Sequence, residues 1–77
     1  MAAAYVLITC HPGTDWDVYD RVVKLKGVKT AESIAGSFDV IIRIESGSFE
    51  DISSKVLSEV RKIDGVRSTV TCFVVSR

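Results

Sequence analysis

The chain is short of the parts from which many functions are assembled: among 77 residues there are two cysteines, one histidine and one proline. Neither Cys10 nor Cys72 sits in a CxxC or CxxH neighbourhood, which speaks against a zinc site and against a secreted disulfide scaffold. Ten basic residues balance ten acidic ones, and the basic residues form no run, stripe or arm. Phosphate neutralisation needs clustered cations, so no direct contact with nucleic acid is expected. The apolar start, Met1 to Cys10, has no basic leader and is too short to span a bilayer. It reads as a strand, with no membrane contact and a cytoplasmic location expected. Recognised nucleophile, phosphate-loop and dinucleotide motifs are also missing, so no cofactor and no enzyme activity are expected. A chain this short buries only about 60% of its unfolded surface and forms one domain, residues 1–77. Without disulfides or a metal, oligomerisation is the remaining source of stability.

What is present begins with an internal echo. Lys24-Leu25-Lys26-Gly27-Val28-Lys29-Thr30 recurs as Lys62-Ile63-Asp64-Gly65-Val66-Arg67-Ser68, in the order basic, aliphatic, Gly, Val, basic, hydroxyl at six of the seven positions. Each copy closes a helical pattern. Trp16, Val18, Tyr19, Val22, Val23 and Leu25 fall on one half of a helical wheel, as do Phe49, Ile52, Val56, Val60 and Ile63 in the second unit. Thr14-Asp15-Trp16-Asp17 and Ser48-Phe49-Glu50-Asp51 predict capped helix starts. Gly27 and Gly65 predict left-handed stops.

Strands are expected over 5–10, 29–35, 40–45 and 68–75. The order strand, helix, strand, strand, helix, strand gives an α+β fold of ferredoxin-like βαββαβ type: a four-stranded antiparallel sheet with two helices on one face. In it the first and third strands are central. Tyr5-Val6-Leu7-Ile8 and Val40-Ile41-Ile42 are apolar at consecutive positions, so both sheet faces are expected to be apolar. The second strand, carrying Lys29, Thr30, Glu32 and Ser33, is the polar exception suited to an exposed edge. Two such sheets packed face to face would form a dimeric α/β barrel burying about 1,000 Å² or more.

Few residues suggest chemistry. Cys10 and His11 are adjacent, and neighbours on a strand point to opposite faces, so a nucleophile-base pair is disfavoured. Metal binding by Cys10, His11 and Cys72 has no supporting spacing. The connection Ala35-Gly36-Ser37-Phe38-Asp39 is the candidate site. Gly36 permits positive φ, Phe38 is a large apolar group beside a turn, and Asp39 is a carboxylate next to an apolar strand. These are ordinary turn residues. They are also a set of amide donors, an apolar lid and an acceptor for an ammonium group.

The Gly-Val after each helix, the Gly-x-aromatic-Asp at Gly36 to Asp39, and Gly65-Val66 followed by Thr69-x-Thr71 together resemble the Lrp/AsnC regulators. The resemblance is to their C-terminal effector-binding (RAM) domain and covers Tyr5 to Val75. It implies an amino-acid sensor whose sheet-packed dimers associate into rings, octamers or decamers, with effectors between dimers. By position, Gly36, Ser37 and Phe38 would offer backbone and wall, Asp39 would receive the α-ammonium, and Thr69 and Thr71 would meet the carboxylate or side chain. Trp16 is a further pocket or inter-dimer candidate. Family regulators carry an N-terminal helix-turn-helix and this sequence begins at the first strand. It therefore resembles the stand-alone form, a sensor or an adaptor for a full-length Lrp/AsnC regulator. Phe38 stands where Tyr is common in such motifs, which leaves ligand choice open. A small dimeric-barrel enzyme and a purely structural oligomerisation module are the rival readings.

Overall fold

The computed structural model describes residues 1–75. It contains β1 (Ala2–Cys10), α1 (Asp15–Val22), β2 (Val28–Ser33), β3 (Val40–Ser46), α2 (Phe49–Asp51), a π-helical turn (Ile52–Val56), α3 (Leu57–Arg61) and β4 (Val66–Phe73). The strands form one antiparallel sheet in the order β2-β3-β1-β4, with β1 and β3 central. This is the expected ferredoxin-like α+β fold, with the second helical segment running unbroken through α2, the π turn and α3.

One sheet face is covered by the helices. Burial along β1 alternates, with Ala2, Ala4, Val6, Ile8 and Cys10 buried, and β3 matches it with Val40, Ile42 and Ile44. Val18 and Val22 of α1 and Ile52, Val56, Leu57 and Val60 of the second helical segment close over them. Each such Val, Ile or Leu contributes about 1.5–3 kcal/mol on burial. The amphipathic wheels overreach at their rims. Trp16 is 62% exposed, Phe49 50% and Val23 41%, while Leu57, outside the expected stripe, is buried. The π turn accounts for part of this. Its i to i+5 hydrogen bonding shifts the buried arc by about one residue, so that Val56 and Leu57 are buried side by side.

Both echo segments end their helices in the same way. Leu25 N donates to Val22 O and Ile63 N to Val60 O, i to i−3 bonds that tighten the last turn. Gly27 (φ 97°) and Gly65 (φ 100°) then turn the chain out. The helices therefore stop at Val22 and Arg61, short of Leu25 and Ile63. Of the two expected caps only one is made: Ser48 Oγ accepts from Asp51 N at 3.1 Å. Thr14 makes no such bond. Its hydroxyl donates to His11 O at 2.7 Å and approaches Gly65 O at 3.2 Å, tying the two crossover connections together.

The open sheet face corrects the expected apolar character at β3, while β2 is the expected polar edge. Tyr5, Leu7, Ile41, Val70 and Cys72 form an apolar centre by register. Beside it Arg43 pairs with Glu45 at 3.1 Å and donates to Tyr5 Oη at 2.9 Å. Thr30 and Glu32 of β2 face the same side. The face is apolar over the β1 and β4 half and charged toward β2.

Candidate ligand-binding site

The candidate loop is fixed at the sheet end where β1 finishes and β3 begins. Asp39 does most of this. Its amide donates to Ile8 O at 2.9 Å, its carbonyl accepts from Ile34 N at 2.9 Å, and its Oδ2 accepts from Cys10 N at 2.7 Å. The carboxylate thus satisfies a backbone donor just where β1 leaves the ladder. Its other oxygen has no hydrogen-bond partner among the described residues.

Ahead of Asp39 the loop is open. Gly36 has φ 139°, a conformation that favours glycine, and a Cβ placed there would meet nothing within 4 Å. Gly36 and Ser37 are exposed, whereas Phe38 and Asp39 are half-buried. Gly36 and Ser37 thus lie exposed beside a foundation held by the Asp39 bonds.

Thr69 and Thr71 lie elsewhere on the same sheet. They pair with Ile8 and Val6 of β1, and both are half-buried on the helix-covered side. The loop bonds to β1 from the β3 side and the threonines pair with it from the β4 side. Two strand spacings, about 10 Å, separate the two groups. Trp16, at the head of α1, packs edge-on against Tyr19 with ring centroids 5.7 Å apart. The structure therefore keeps Gly36, Ser37, Phe38 and Asp39 together and sets Thr69, Thr71 and Trp16 apart from them. Of the seven, only Thr69 lines any of the three main clefts of the single chain.

The Cys10-His11 pair does not form a dyad. Cys10 is buried on the helix side, and His11 is exposed with its amide donating to Gly65 O at 2.8 Å. Burial pushes the Cys10 thiol above its ordinary range, and the carboxylates of Asp39 and Asp15 add to the shift. Such a thiol is a poor nucleophile at neutral pH. Among the described residues no group of three or more His, Cys, Asp or Glu side chains is placed to hold a metal ion. No helix among them is long and apolar enough to cross a membrane.

Sequence reasoning overlooked one cluster, Arg61 and Arg67, which share a cleft of about 270 Å³ with Val66, Ser68 and Thr69. The signal was in the echo, whose second basic position falls at the start of each edge strand.

Fold and site together define a class: a ferredoxin-like α+β domain with one open sheet face and a loop anchored through Asp39 at the sheet end. Residues 3–77 match the family model described as the Lrp/AsnC ligand binding domain, and the chain belongs to that family. An HTH-type transcriptional regulator of Pyrococcus furiosus is 31% identical over 71 residues, covering 88% of this chain and 47% of the relative. The chain spans about half the length of the regulator relatives it matches. Among solved structures, a Thermus thermophilus protein superposes with a TM-score of 0.92 at 21% identity, covering 100% of this chain and 96% of that one. A feast or famine regulatory protein from M. tuberculosis, complexed with L-methionine, gives a TM-score of 0.83 at 22% identity, covering 100% and 52%. At these identities the two structures speak for the fold.

Proposed function

We propose that this chain is the effector-sensing unit of an Lrp/AsnC-type regulatory assembly and binds an amino acid at the Gly36–Asp39 loop. The observation that carries the reading is the geometry of Asp39: one carboxylate oxygen anchors the loop to Cys10 N and leaves the other for an ammonium group. Family membership and the L-methionine complex of a fold relative support the ligand class. A zwitterion in a partly dry cleft needs both charges answered by a few placed polar groups. Asp39 answers the ammonium and Gly36 and Ser37 offer donors for the carboxylate, while Thr69 and Thr71, across β1 from the loop, would reach this ligand only from a neighbouring copy. Phe38 is the apolar wall, and Trp16, set apart from the loop within one chain, is a contact for a neighbouring copy.

The loop is open in the single chain, so this reading requires a neighbouring copy to close it. Pairing of the open sheet faces gives the homodimer, a dimeric α/β barrel, and further association gives octamers or decamers. Both helical segments pack on the sheet. DNA reading in such an assembly would fall to another segment or to a full-length Lrp/AsnC regulator for which this chain acts as adaptor, in the cytoplasm.

The test is a thermal-shift screen against the common amino acids at millimolar concentration, with Asp39→Asn beside it. Asparagine keeps an oxygen for Cys10 N–H and removes the charge, so loop anchoring and ligand recognition are separated. A ligand at 100 times its dissociation constant adds about 2.7 kcal/mol to stability. A shift with one or a few amino acids that disappears in Asp39→Asn is the expected result. Silence across the panel would favour the assembly module, for which the anchoring bond alone accounts for Asp39.

A further inference from the structure

Both edge strands open on a β-bulge, and the two bulges fall at the same place in the echo. Pairing of β4 steps from Cys10–Val66 to Thr9–Ser68, leaving Arg67 as the extra residue. Pairing of β2 steps from Ile44–Val28 to Arg43–Thr30, leaving Lys29. A bulge takes one residue out of the ladder and re-aims its side chain. In each copy the valine therefore stays against the core, while the basic residue lines a cleft beside the strand.

The two clefts differ in charge. Lys29 shares its cleft, about 450 Å³, with Lys26 and Lys55, and Glu45, Asp51 and Glu59 line the same space. Three lysines and three carboxylates line it, Lys55 pairing with Asp51, so the formal charges of its lining cancel. The cleft at Arg67 contains Arg61 and the hydroxyl residues Ser68 and Thr69, and among the described residues no carboxylate lines it. Neither arginine takes part in an ion pair among the described residues. Asp64, in the connecting turn, is not among its lining residues.

We propose that the Arg61–Arg67 cleft is a binding site for a small dianion, a dicarboxylate or a phosphate monoester. Planar guanidinium forks match both oxyanions in two-point geometry. Thr69, on the helix-covered side with Arg61, adds a hydroxyl donor, and edge strands leave outward N–H groups unpaired. Arg61 stands in the last turn of α3, where helix carbonyls repel an anion. A second arginine, delivered by the bulge, offsets that repulsion. This site lies across β1 from the Gly36–Asp39 loop and shares with the proposed amino-acid site only Thr69. It stands or falls independently of it.

The test is isothermal titration calorimetry of the assembled chain with inorganic phosphate and with succinate, at fixed ionic strength. Saturable binding of one anion per chain is expected, weakened about tenfold or more in Arg61→Gln and in Arg67→Gln and unchanged in Lys29→Gln. Preference for phosphate would indicate a phosphate monoester, and preference for succinate a dicarboxylate. Equal binding would support a dianion site selective for charge alone. Circular dichroism melting checks that each variant folds. Should Arg67→Gln not fold, Arg67→Lys, which keeps the charge and loses the fork, is expected to bind with intermediate affinity. The proposal is overturned by absence of saturable heat for both anions up to about 10 mM, by binding that survives both glutamine variants, or by equal loss in Lys29→Gln.

Discussion

Asp39 combines anchoring with the proposed recognition, and substitutions separate the two. Asp39→Ala leaves the partly buried Cys10 N–H without its 2.7 Å acceptor, an expected loss of about 1–3 kcal/mol in urea unfolding. Asp39→Asn should retain most of that stability. Cys10 gives a pH signature. Its thiol is raised in the folded state above the ordinary 9.0, so the unfolded chain ionises first as pH rises. Above that value the unfolded state holds fewer protons, and native stability falls with pH. Its contribution is intact below pH 9.0 and is lost as pH rises through the folded value. Unfolding titrations with Cys10→Ala as reference should show a steeper alkaline decline in the parent. A thiol reagent at neutral pH should modify exposed Cys72 of the unassembled chain well before Cys10. That Asp39 sits beside an apolar strand could be read from the sequence. Its bond to Cys10 could not, because it joins residues 29 positions apart.

At the scale of elements, the echo implies equivalent turns, and the structure makes them unequal. Gly27 and Gly65 have nearly the same φ, but a Cβ at Gly27 would sit 3.4 Å from Val56 Cγ2, an ordinary contact. At Gly65 it would sit 2.7 Å from Thr14 Oγ1 and 2.8 Å from Thr14 Cβ. Both alanine variants carry a backbone cost of about 1–3 kcal/mol. Gly65→Ala should lose about 1–3 kcal/mol more through overpacking, a difference measurable by denaturant midpoints. The two caps should also behave differently. Ser48→Ala loses about 0.5–2 kcal/mol of helix capping, whereas Thr14→Ala loosens a tie between connections. Capping signatures in sequence specify which side chains are available, and the fold selects their partners. Gly65 O, brought beside Thr14, offers a tertiary partner that no local pattern announces.

For the whole molecule, the open face sets the expected assembly. Val70 is 47% exposed in the single chain, so Val70→Lys should change the stability of an isolated protomer by no more than about 0.5 kcal/mol. Within a face-to-face dimer the same lysine would be buried without a partner. Light scattering should give a mass above 8.4 kDa for the parent and a shift toward the monomer for Val70→Lys. An 8.4 kDa particle for the parent at micromolar concentration would remove the dimer from the account. The Arg43–Glu45 pair beside this apolar centre shows why consecutive apolar residues overstated the face. Periodicity averages over a strand, while register decides which neighbours a given side chain meets.

Local chemistry determined a great deal by itself: four strands, two helical segments, their glycine stops and the central placement of β1 and β3. These follow from periods of two and 3.6 and from backbone conformations that only certain residues adopt. Tertiary structure decided the rest. It placed Asp39 on Cys10 N and kept the threonines across β1 from the loop. It also set Arg67 out of the ladder beside Arg61. The physical reason is common to all three: each depends on the register between strands distant in sequence, which no pattern along one strand encodes.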